Sequence, residues 1–246
     1  MRRNDWLQIR GTVALCAVTG LLAGCASNSG TSRTTSTSSQ TTGQLPNRYK
    51  SDDGRTVDIG RSSPVNGGLS FKNPHLDKCW IADGFKFTGY DTLYIAPTLS
   101  TAKLHNAEEN QPHELAKQNL QSELERLLRQ RQLVPNVVLQ ESQIKPGDRV
   151  LKIENTIVEY AKGGGAARYW AGIYGAGQPV LRVQGKMTDT NKTLFEYEAR
   201  RSGTSAGARM VGAYMKDTDI QREDVTSLSL DLVDFMSAIS GKFQVK

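Results

Sequence analysis

The chain has 246 residues, 37% of them hydrophobic and 23% charged, with a formal net charge of +6. That is enough apolar material for one domain with a proper core. Arg2, Arg3 and Arg10 against Asp5 account for +2 of the charge, and the +4 on the rest lacks the clustered Lys and Arg with interleaved aromatics of a nucleic-acid binder. The three cysteines, Cys16, Cys25 and Cys79, are too few and too scattered for a disulfide framework or a zinc site.

A mostly apolar run from Gly11 to Gly24 follows the three arginines. A membrane-spanning helix needs about 20 apolar residues, and this run is shorter. A basic start, a short apolar stretch and small residues at its end make a secretory signal, so residues 1–24 are read as a cleaved signal peptide for Sec export. The end of the run, Leu22-Ala23-Gly24-Cys25, resembles the lipobox of bacterial lipoproteins. The resemblance implies cleavage between Gly24 and Cys25 and acylation of Cys25, palmitate included. Several acyl chains hold a protein to a bilayer stably where one does so only marginally. Ala26 follows the cysteine where an aspartate tends to retain lipoproteins of this kind in the inner membrane. The implied location is therefore the periplasmic face of the outer membrane.

From Ala26 to Leu45 twelve of twenty residues are Ser or Thr. Such a segment cannot bury enough surface to offset its ordering entropy. Asn47 to Asn73 continues polar, with Gly54, Gly60, Pro64, Gly67 and Gly68, and is expected to be irregular. The organisation expected is a lipidated cysteine and flexible tether over 25–72, then a single periplasmic domain over 73–246. A coil of about 45 residues spans roughly 35–40 Å.

Folding signals begin near Trp80. Asp91 to Ala96 (DTLYIA), an apolar stretch before Pro97, reads as a buried strand. Gln111 to Gln132 carries Ala116, Leu120, Leu124, Leu127 and Leu128 at helical spacing, with Pro112 suited to the first turn and Arg126, Arg129 and Arg131 to the last. A short strand is expected at Val137–Leu139 and a further strand at Arg149–Tyr160. Val180–Met187 and Leu194–Arg200 alternate cleanly around the turn-forming TDTNK and predict an antiparallel hairpin whose polar faces oppose basic to acidic residues. Val225, Leu228, Leu232, Phe235, Met236 and Ile239 predict a second long helix over Asp219–Phe243, with Gly241 placed to stop it. This order indicates an α/β (α+β) two-layer sandwich: a mixed sheet of about five strands with two long helices on one face.

Leu93–Ala96 with the helix after it, the strand Arg149–Tyr160, and GGGAARYWAGIYGAG leading into VLRVQGKMTD and a hairpin resemble the bacterial lipoprotein family known as domain of unknown function 4410. The likeness runs from Gly89 to Phe243 and is most specific over Arg168 to Asp189. It implies this fold and an envelope location, and no enzymatic role is established for that family. The outline is also similar to periplasmic domains of secretion and assembly lipoproteins, including the curli secretion type, an analogy of fold alone.

The glycine-rich stretch Gly163–Gly177 is no phosphate loop, since it lacks a Gly-Lys-Ser/Thr ending and precedes a strand. His75, His105 and His113 have no metal-ligand spacing and read as surface or loop residues, and no Gly-x-Ser-x-Gly elbow is present. No catalytic, metal or cofactor site is assigned. The acidic pairs Glu108-Glu109 and Glu223-Asp224 are explained by helix starts. Cys79 is either a buried apolar residue or a link to a second chain. More informative is the match between GAARYWAGIY (Gly165–Tyr174) and GARMVGAY (Gly207–Tyr214). If the three strands around 149–201 form a meander, both segments leave the same end of the sheet. Arg168, Tyr169, Trp170, Tyr174, Arg209, Met210 and Tyr214 then cluster, either as an interface of hot-spot residue types or as the closing layer of the core. The expected function is a non-enzymatic, lipid-anchored periplasmic module binding a protein or envelope partner; the alternative is a homo-oligomeric secretion or assembly subunit.

Overall fold

The computed structural model describes residues 45–164, 177–190, 192–203 and 216–245. In chain order its elements are β1 (Arg48–Lys50), β2 (Thr56–Asp58), β3 (Arg61–Val65), β4 (Gly68–Lys72), β5 (Lys78–Ala82), β6 (Thr92–Ile95), β7 (Leu99–Ser100), α1 (Asn110–Arg131), β8 (Asn136–Val138), β9 (Val150–Ala161), β10 (Val180–Asp189), β11 (Lys192–Arg201), α2 (Asp217–Ile239) and β12 (Gln244–Val245). The main sheet runs β3-β4-β5-β11-β10-β9-β6-β8, with β7 also paired to β9, and a small sheet runs β12-β1-β2. The mixed α/β class holds, but the sheet has nine strands where about five were expected.

Two of the extra strands, β3 and β4, come from Asn47–Asn73, which is not irregular: it forms β1 to β4, the first two in the small sheet. Ile59 and Phe71 explain why, for they enter the core at 0% and 3% exposure. The residues that had argued for irregular chain are turn and edge devices. Asn66 and Gly67, both at positive φ, make the two-residue turn between Val65 and its partner Gly68. Pro64 sits on an edge strand, where its missing N–H spoils no ladder.

Both long helices form where their apolar spacing places them. In α1, Ala116, Leu120, Leu124, Leu127 and Leu128 are all buried, and the helix ends on left-handed Gln132, whose N–H returns to the Leu128 carbonyl. At the end of α2, Gly241 (φ +75°) and Lys242 return N–H groups to the Ala238 and Ser237 carbonyls at 3.2 and 3.1 Å. This crossed pair is the left-handed helix stop that glycine permits. The helices and one face of the sheet share a single core, which includes Leu151, Ile153, Val183, Met187, Phe195, Leu232 and Phe235. Phe235 packs edge-on against Phe71 and stacks on Phe195, with ring centroids 5.2 and 5.9 Å away. Tyr94, Ala96 and Val138 point to the opposite face and meet Ile144 and Val150. Buried Asp234 of α2 takes Arg131 of α1 at 2.8 Å and Arg55, from the β1–β2 turn, at 3.0 Å.

The hairpin is in the expected alternation, and one of its polar contacts, Arg182 to Glu198, runs diagonally. Arg182 faces Arg200 and bonds Glu198, which also takes Gln184 at 3.0 Å and Lys78 from β5 at 3.2 Å. Lys186 faces Glu196 and reaches Glu154 of β9 at 3.2 Å. On the inner face, Gly185 pairs with Asn155 on one side and Tyr197 on the other. The Tyr197 ring occupies the space a Cβ at Gly185 would need, and its hydroxyl donates to Asn155 Oδ1 at 2.5 Å. Burial pushes the Tyr197 hydroxyl far above its ordinary pKa, so it stays a donor. Gly185→Ala is expected to cost about 1–3 kcal/mol through overpacking, read as a lower urea midpoint at unchanged m-value.

Candidate functional site

Cys25 and Gly24, and the residues expected to cluster, Arg168, Tyr169, Trp170, Tyr174, Arg209, Met210 and Tyr214, lie outside the described residues. The roots of the two glycine-rich segments lie within them. β10 is antiparallel to both β9 and β11, and Leu181 pairs with Tyr160 on one side and Arg201 on the other. The C-terminal ends of β9 and β11 therefore sit at one end of the sheet, flanking the start of β10, as the meander requires. Gly164 donates its N–H to the Gly177 carbonyl at 2.9 Å, closing the base of the first segment. Gly203, at the base of the second, leans on the first. A Cβ there would come within 2.8 Å of Gln178 Oε1 and 2.9 Å of Pro179 Cδ, and its φ of +61° also favours glycine.

Two buried carboxylates hold these roots. Glu109, 4% exposed, lies in the short 3-10 turn Ala107–Glu109 ahead of α1. It accepts the His105 N–H at 2.7 Å and the Lys162 N–H at 3.2 Å, tying the exit of β9 to the helix start. Asp224, 1% exposed and two turns into α2, accepts the Gly203 N–H at 3.0 Å. A buried carboxylate is costly unless hydrogen-bonded, and each of these takes a backbone donor from a segment root. In the sequence both acids look like ordinary helix-start residues. For Asp224 a signal was present, since α2 follows the glycine-flanked exit of β11; no such signal precedes α1, whose Glu109 meets a strand that comes later in the chain.

Between the roots and the core, Tyr160 donates its hydroxyl to Gln221 Oε1 at 2.9 Å. Its ring meets His113 edge-on, with centroids 4.9 Å apart. His113 is not a surface residue: it is 6% exposed, on the inner side of α1, with Nε2 2.9 Å from Ser100 Oγ. His75 and His105 are exposed as expected. Cys79 is buried at 1% exposure, its thiol pushed up by burial, which leaves no path to a second chain. A cleft of about 300 Å³ opens between the N-terminal halves of α1 and α2, with Leu115 exposed on its wall. Among the described residues no group of three or more His, Cys, Asp or Glu is arranged to hold a metal ion. None of the described helices is long and apolar enough to cross a membrane.

Burial pushes the His113 imidazolium pKa below its ordinary value of 6.5. As pH falls, the unfolded chain takes up this proton before the folded one does. His113 therefore withdraws stability as pH drops below about 6.5. Urea midpoints at about pH 7.5 and 5.5 should fall further for the native chain than for His113→Leu; an equal fall would contradict this.

The model for DUF4410, a domain of unknown function, matches residues 84–207, from the turn after β5 into the second glycine-rich segment. No curated protein matches the chain. Among solved structures it is similar to the PelC dodecamer from Paraburkholderia phytofirmans. The identity is 12% over 61% of this chain and 94% of that one, with a TM-score of 0.39. It is also similar to a Xanthomonas campestris protein of the DUF330 family, at 12% identity over 66% of this chain and 91% of that one, TM-score 0.39. Neither likeness is close enough to transfer a role. The family match covers half of the 246 residues, and the chain belongs to the DUF4410 family.

Proposed function

We propose that the protein is a non-enzymatic module, lipid-anchored through Cys25 at the periplasmic face of the outer membrane, that binds a protein or envelope component through its two glycine-rich segments. The observation that supports this most is the shared root. Gly164–Gly177 and Gly203 stand side by side at one end of the sheet, with a buried carboxylate holding Lys162 ahead of the first and another holding Gly203 itself. A rigid base lowers the entropy cost of engaging a partner through the two segments. The segments carry Arg, Trp, Tyr and Met, the types that dominate interface hot spots. The same surface could serve copies of this chain in place of a foreign partner. Light scattering separates the two readings, because a monomer at high concentration excludes a stable self-assembly.

Replacing Trp170 and Tyr174 together with alanine should abolish partner capture in periplasmic crosslinking while leaving the thermal melt unchanged. Undiminished capture would contradict the reading. Cys25→Ser should release the protein from the membrane fraction, and persistent sedimentation with membranes would remove the anchor from the account.

A further inference from the structure

Three basic side chains, Arg48, Arg61 and Lys72, line one cavity of about 770 Å³ beside the point where the chain enters the body, and Pro46 and Asn47 form part of its wall. Arg48 is matched by its cross-strand partner: its Nε lies 3.4 Å from Asp58 Oδ2. Arg61 and Lys72 stand directly opposite each other on β3 and β4. Both are exposed, and neither has an acidic partner among the described residues. Like charges placed opposite one another in an antiparallel pair destabilise it, so the fold gains nothing from this arrangement. Asp58 is the one acid of the lining, and it is already engaged by Arg48 and by the Gly60 N–H at 2.8 Å. The cavity is left with two uncompensated cations.

The walls are fixed rather than loose. Gly60, at φ +77°, passes so close to the Lys72 carbonyl that no Cβ fits. Asn73 donates to the Asp58 carbonyl at 3.2 Å and accepts the N–H groups of His75 and Leu76 at 2.7 and 2.9 Å. An arginine fork and a lysine point charge held together in this way are suited to phosphate oxygens.

We infer that this cavity docks the phosphates of anionic phospholipid headgroups, seating the body on the bilayer that carries its anchor. The choice of a bilayer as the phosphate source rests on the lipid anchoring proposed above. Ala26 to Gln44 is all the chain between Cys25 and Leu45, and it reaches at most about 65 Å. The cavity begins at the next residue, Pro46, so it is kept within reach of headgroups. Acyl anchors are commonly reinforced by such a basic patch.

The test uses the chain from residue 25 carrying Cys25→Ser, so that no acyl group contributes. It is sedimented with vesicles of phosphatidylcholine, alone or with roughly one third phosphatidylglycerol. Binding is expected only to the anionic vesicles and should weaken with added salt. Arg61→Gln with Lys72→Gln should lower the partition coefficient about 25-fold without lowering the thermal melt. Equal binding to both vesicle types, or binding unchanged by the double substitution, would overturn the inference. So would displacement of the vesicle-bound protein by inorganic phosphate at matched ionic strength, which would mark the cavity as a free-anion site. Mass spectrometry of the native protein decides separately whether Cys25 is acylated. A bare Cys25 with retained vesicle binding would refute the anchor and leave the headgroup site standing.

Discussion

The row Asn155, Gly185, Tyr197 is the constraint on which the rest depends. Three antiparallel strands could pair in several registers, and a slip of one residue would turn every inward side chain outward. Only in the observed register does the missing Cβ of Gly185 lie under the Tyr197 ring, so that the hydroxyl can cross β10 and reach Asn155. A buried tyrosine hydroxyl without that partner would bear a desolvation cost of about 1–3 kcal/mol. The lock sits on the inner face, beneath the helices, and it determines which residues of β9 and β11 end up level with each other.

From that register the candidate site follows. Because β10 lies between β9 and β11, their outgoing ends share one edge of the meander, and the sequence after each is glycine-rich. The helices then act as struts, with Glu109 ahead of α1 and Asp224 within α2 each taking a backbone N–H from a segment root. At the C-terminal end of α1 a different ionic arrangement joins the small sheet to the body. Asp234 lies between the Arg131 and Arg55 guanidiniums, and Arg131 also sits over the Phe243 ring at 5.0 Å. Removing one partner from such a buried group leaves an uncompensated charge. The pairing therefore specifies one docking of the small sheet more than it adds net stability.

Where the apolar period was long, the sequence was legible. Leu120, Leu124 and Leu128 announce α1, and Leu181, Val183, Phe195 and Tyr197 announce the hairpin. β1 to β4 were not legible, because strands of three to five residues with at most one buried side chain each carry too little periodicity to outweigh Pro64 and the glycines. One expectation about a polar residue failed: His113 reads as a surface residue, yet it is buried against Tyr160 and Ser100. Arg131 does stand in the last turn of α1, as its position suggests, but its burial against Asp234 was not legible, because that contact comes from an element far away in sequence. The doubled Gly-Ala-Arg pattern could be seen directly. What the sequence could not show was that Gly203 and Gln178 touch, since this follows from the strand order and not from either motif.

The central claim is that the two segments present one surface. Gly164 borders the first segment, and a side chain added there meets no atom within 4 Å. Lys216 borders the second and is exposed. A photoreactive residue placed at position 164 in one variant and at position 216 in another tests the claim most directly. The account predicts that both variants trap the same crosslinked species in the periplasm. Adducts to different species, or an adduct from one position only, would contradict it.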